Sequence, residues 1–128
     1  MNSSQKVNRT KIVLLQLETK RIYERLKEKK EEFVLLYSLK RTRRPFEILF
    51  ESKLKNLNLS FFENFSEEIC LAYFQFFSSI EELEWYLLFT EDLPLSLEQH
   101  VEKLLKTCKC YYDVLQLYLR AELEVHNF

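Results

Sequence analysis

The sequence predicts an all-α fold, an antiparallel bundle of three long helices plus one short helix, and three observations carry that expectation. Glycine is absent from all 128 residues, although average usage of about 7% would supply roughly nine. Only two prolines interrupt the chain. Apolar residues make up 47% and charged residues 30%, and the apolar ones recur at three- and four-residue spacing, the period of a helix packed on one side. A chain without glycine also lacks the Asn-Gly turns of tight β-hairpins. The length fits one domain, residues 1–128, with 1–8 expected as a flexible tail.

A first helix is expected over 8–40, with Ile12, Leu15, Ile22, Leu26, Phe33 and Leu36 on one face. Thr19 and Lys29 fall in the same seam and break it. At the helical rise it would be about 50 Å long. The charged run 27–32 is either its solvated waist or a bend.

Pro45 suits the first position of a short second helix over 45–57, whose apolar face is Phe46, Leu49, Phe50 and Leu54. Asn56 and Asn58 close it in the place glycine commonly holds. Ser60 with Glu63 has the spacing of a capping box, which opens a third helix running to 89. A second box, Ser79 with Glu82, marks a candidate break inside it. Residues 91–95 read as a turn, and Ser96 with Gln99 caps a fourth helix over 97–125. Its core seam is Leu97, Val101, Leu104, Cys108, Tyr111, Leu115 and Tyr118.

Several function classes are excluded by what is missing. A Walker A loop, a dinucleotide fingerprint and a G-x-S-x-G elbow all need glycine. The longest charge-free stretch, 69–80, is twelve residues, against about twenty for a membrane span. The polar residues 1–10 carry no apolar signal region. Three cysteines show no framework spacing, which fits free thiols in a reducing compartment. An intracellular protein, cytoplasmic or nuclear, is therefore expected.

Two features stand above this background. Residues 1–58 carry 15 Lys and Arg against 7 Asp and Glu, a net +8, whereas 59–128 carry 4 against 13, a net −9. A basic helix flanking acidic ones inside a bundle would account for this division; a nucleic-acid or acidic-partner surface is the functional reading. The densest basic cluster is Lys40, Arg41, Arg43 and Arg44, expected as phosphate contacts or as an import segment. Lys27, Lys29 and Lys30 would extend that surface.

The second feature is excess hydrophobicity. Residues 69–89 include 15 apolar of 21, and residues 110–125 include 11 of 16. A helix apolar on every side must be covered on several sides, and a bundle this small can surround only one. A partner is therefore expected, another copy or a different protein. Its interface would be Tyr73, Phe74, Phe76, Phe77, Trp85, Tyr86, Phe89, Tyr112 and Leu119, among them the aromatic types enriched in interface anchors.

Chemistry is scarce. Cys108 and Cys110, two apart on a helix, point away from each other and lack zinc spacing. Lys103, Lys106 and Lys109 surround Cys110 and could activate its thiol. Glu122 and His126 are four apart near the chain's end. Arg120 and His126, with five residues between them, loosely resemble the Arg-x4-6-His motif of helical HEPN-type ribonucleases. Ala121 stands where that motif usually has a polar residue, and the likeness covers seven residues. No family is recognised. The expectation is a non-enzymatic helical adaptor or complex subunit without cofactor, metal or membrane span; the alternative is a nucleic-acid-associated protein using its basic half.

Overall fold

A computed structural model describes residues 3–38 and 44–125. Among these, the regular elements are all helical: α1 (Ser3–Glu28), α2 (Lys30–Ser38), α3 (Arg44–Leu49), α4 (Glu67–Phe89) and α5 (Pro94–Val125). Two 3-10 turns, Lys53–Asn56 and Leu59–Phe62, lie between α3 and α4. The expected all-α bundle is what forms.

The expected first helix is divided at Lys29 into α1 and α2. The backbone ladder continues through the junction, with Lys29 N–H donating to Arg25 O and Phe33 N–H to Lys29 O, each at 3.1 Å. Residues 27–32 have no apolar side chain to anchor that turn against the core. The charged run is where α1 gives way to α2, and both pack on α5. Thr19 does not break the seam. Its hydroxyl is fully buried, donates to Leu15 O at 2.8 Å and accepts from Gln116 Nε2 at 2.7 Å.

α5 is the central helix, touching α1, α2 and α4. Its register against α1 is antiparallel: Arg9 Nη1 reaches Leu123 O at 3.3 Å, Tyr23 stacks on Tyr112 at 4.3 Å, and Lys30 pairs with Glu102 at 3.2 Å. Against α4 it is antiparallel as well, with Tyr86 stacked on His100 at 4.1 Å and Phe76 on Tyr112 at 5.8 Å. Leu97, Val101, Leu104, Cys108, Leu115 and Leu119 form its buried seam, so Leu119 takes the place expected for Tyr118. Tyr111 is half-buried and Tyr118 exposed.

Element boundaries differ from expectation between 45 and 67. α3 ends at Leu49, and the chain becomes a strap across α1 and α4. Arg25 Nη2 donates to Glu51 O at 2.8 Å, Ser52 Oγ to Glu18 Oε1 at 3.2 Å, and Tyr73 OH to Leu54 O at 3.1 Å. Asn58 opens the second 3-10 turn, its Oδ1 accepting from Phe61 N–H at 3.2 Å. Ser66, not Ser60, caps α4, accepting from Ile69 N–H at 3.3 Å. Phe61, Phe62 and Phe65 pack edge to face, and Phe62 lies 4.8 Å from the Tyr73 ring, which holds this stretch off the helix.

α4 then runs unbroken through Ser79, whose hydroxyl bonds back to Phe76 O at 2.6 Å. Between α4 and α5, Tyr86 OH donates to Asp92 Oδ2 at 2.5 Å, and Tyr37 OH donates to Asp92 O. Leu97 N–H bonds Leu93 O at 2.9 Å, so α5 opens at Pro94, three residues earlier than expected and with proline at a first-turn position that needs no donor.

Candidate partner-binding face

α4 turns one face into the core and leaves the opposite one uncovered. Ile69, Ala72, Phe76, Ile80, Leu83 and Leu87 point inward. Leu71, Phe74, Trp85 and Phe89 point outward, with 58%, 67%, 64% and 63% of their surface exposed. Their spacing of three, eleven and four residues puts all four on one line of the helix, and Ser78 lies on the same line. Trp85 and Phe89 rest on each other with ring centroids 5.7 Å apart. Together the four make an aromatic ridge of about five turns.

The ridge is framed by acid. From residue 56 to residue 102 the chain has ten Asp and Glu and no Lys or Arg. Glu67 and Glu68 stand at the start of α4, where they also complement the helix dipole. Glu81 and Glu82 rim a shallow depression with Ser78, Trp85 and Phe89. All four carboxylates are exposed, and among the described residues none of them has a cation within ion-pair distance. Glu84, on the flank, pairs with Lys55 of the strap at 3.0 Å.

The expected interface set is divided by this geometry. Phe74, Trp85 and Phe89 are on the ridge. Phe76, Tyr86 and Leu119 are core residues, a correction, because α5 covers the side of α4 that carries Phe76 and Tyr86, and Leu119 lies in the buried seam of α5. Tyr73 and Phe77 are half-buried, stacked 5.8 Å apart under the strap. Tyr112 is wedged between Tyr23 and Phe76. Leu71 was missed by the sequence reading, although its spacing to Phe74 was visible.

A lesser exposed apolar set lies on α5, at Val114, Leu117, Tyr118 and Val125. Leu14 and Leu17 of α1 form a recess of about 350 Å³ with Leu54, Leu57 and Phe61 of the strap.

Of the expected phosphate contacts, Lys40, Arg41 and Arg43 lie outside the described residues, and Arg44 is the first residue of α3. His126 is also outside them, so the pairing with Arg120 or Glu122 has no geometry here. The Arg120 side chain donates to Gln116 O at 3.4 Å.

Cys108 is buried and Cys110 exposed. Burial pushes the Cys108 thiol up and likewise that of Cys70. Among the described residues there is no cluster of three or more His, Cys, Asp or Glu able to hold a metal. No helix there is long and apolar enough to cross a membrane.

Comparison with family models, with curated proteins and with solved structures finds no match to this chain.

Proposed function

We propose that this protein is a helical adaptor or complex subunit that binds a partner protein through the α4 ridge. The carrying observation is the alignment of Leu71, Phe74, Trp85 and Phe89 on one uncovered helix face. Isolated exposed apolar residues are ordinary on protein surfaces; an aligned set rimmed by charge is the arrangement of a recognition face. Covering the exposed part of each side chain would contribute on the order of 1–2 kcal/mol, and the anchor residues of interfaces are commonly Trp and other aromatics. The unpaired carboxylates select a basic partner, and a helix carrying Lys and Arg beside an apolar stripe would lie along the ridge.

Trp85 is the chain's one tryptophan and sits at the centre of the proposed contact. Its emission therefore reports occupancy without a label. The full chain, immobilised, should capture a basic protein from extract of the native cell. Titrating that protein into the free chain should shift Trp85 emission to the blue. Phe74→Ser with Phe89→Ser should weaken capture by at least about tenfold, the loss of roughly 1.4 kcal/mol. Binding with unchanged Trp85 emission and full tolerance of those substitutions would discard the ridge as the contact.

A further inference from the structure

The seam of α5 with α1 and α2 brings four lysines together from three helices. The antiparallel register fixed by the Tyr23–Tyr112 stack and the Lys30–Glu102 pair sets Lys27 of α1 and Lys30 of α2 beside Lys106 and Lys109 of α5. The four surround one depression of about 170 Å³, with Leu105 and the Tyr23 ring as its floor. Residues 59–128 hold only four Lys and Arg, and two of them rim this depression.

Like charges set across a helix seam repel one another, so packing alone does not favour this placement. The only carboxylate at the rim, Glu102, is taken by Lys30 at 3.2 Å. Among the described residues, Lys27, Lys106 and Lys109 have no carboxylate partner. A second basic depression provides the contrast. Formed by Arg21, Arg25 and Lys55, it has its cations engaged by Glu18 at 3.0 Å, by Glu51 O at 2.8 Å and by Glu84 at 3.0 Å. In that depression each of the three cations has a partner; in the lysine seat, among the described residues, Lys30 alone has a carboxylate.

We propose that this seat binds a cluster of phosphoryl groups, as found in a polyphosphate or in a small molecule carrying adjacent phosphates. Lysine ammoniums are compact point charges with three donors each, suited to phosphate oxygens approached from several sides. The apolar floor excludes water from one side of the anion and strengthens each contact. The Tyr23 ring is buried against Tyr112, leaving no open aromatic platform for a stacked base. The seat therefore reads phosphate rather than a nucleobase.

Inorganic tripolyphosphate is the probe, titrated into the full chain by calorimetry at about 0.15 M salt. Saturable one-to-one binding is expected. Lys106→Ala with Lys109→Ala should weaken it at least about tenfold, whereas Lys6→Ala, which removes one charge in the first turns of α1, should leave it within about twofold. Without ligand the double variant should be no less stable than the native chain, since it relieves repulsion. A single-stranded oligonucleotide, run in parallel, should bind more weakly than tripolyphosphate. The proposal is overturned by an absence of saturable binding, by equal loss in Lys6→Ala, or by oligonucleotide binding that is tighter and grows with length.

Discussion

Tyr86 and Tyr73 show how single side chains tie the fold to pH. Burial raises the Tyr86 hydroxyl to about 12, and its bond to Asp92 adds to the effect; burial raises Tyr73 to about 12, with Glu81 nearby. Both groups are neutral when protonated, so the folded chain keeps protons that an unfolded chain releases above its ordinary value near 10. Below about pH 10 the two states bind these protons equally, and stability does not depend on them. Between about pH 10 and 12 the unfolded state releases them first, and stability falls as pH rises. Urea unfolding across that range should show the decline, and Tyr86→Phe should flatten it at a cost of about 1 kcal/mol at neutral pH. A decline identical in native chain and variant would remove Tyr86 as its source. Thr19 makes a different point at this scale. Its position in the seam was legible, but its role was not, because a seam hydroxyl reads as a defect until Gln116 is seen across the helix pair.

At the scale of elements, α3 depends on its neighbours. Six residues are too few for a helix to hold by itself. Phe46 and Phe50 are fully buried, and their rings lie 6.3 Å from Phe33 of α2. Phe46→Ala should cost about 3–5 kcal/mol. The loss should fall first on α3 and the strap in hydrogen exchange, with α5 keeping its protection. Uniform loss along the chain would show instead that α3 unfolds only with the whole bundle. The long helices were legible because each repeats its apolar positions over several turns. The boundaries between 45 and 67 were not. Ser60 with Glu63 and Ser66 with Ile69 are both serviceable local starts, and the choice is made by the Phe61–Phe62–Phe65 cluster packing on Tyr73, a contact that reaches eleven residues along the chain, beyond the span of a capping box. The interruption at Lys29 was half legible, since the charged run marked its place.

For the whole molecule, the division into a basic front and an acidic back is partly cancelled by folding. Lys30–Glu102 and Lys55–Glu84 join the two halves across seams, as a charge-paired bundle would have it. Among the described residues, folding leaves uncancelled the acidic ridge on α4 and the lysine seat where α1 and α2 meet α5. Excess apolar content made an uncovered face legible, but which aromatics occupied it was decided by the side of α4 that α5 covers.

This residue of charge bears on whether the ridge meets another copy or a different protein. A two-fold dimer pairs a surface patch with itself. Ridge against ridge would bring Glu67, Glu68, Glu81 and Glu82 of both copies together, with no cation on α4 to compensate. At low ionic strength that repulsion opposes the apolar gain; at high salt it is screened, the Debye length falling from about 10 Å at 0.1 M to about 3 Å at 1 M. Sedimentation of the isolated chain should therefore show a monomer near 0.05 M salt and growing self-association towards 1 M. Glu81→Gln with Glu82→Gln should move the onset to lower salt, and Trp85→Ser should abolish it. A dimer already stable at low salt and dissolved by Trp85→Ser would mean that the ridge binds its own copy despite the charge. The partner would then be this chain itself rather than a basic protein.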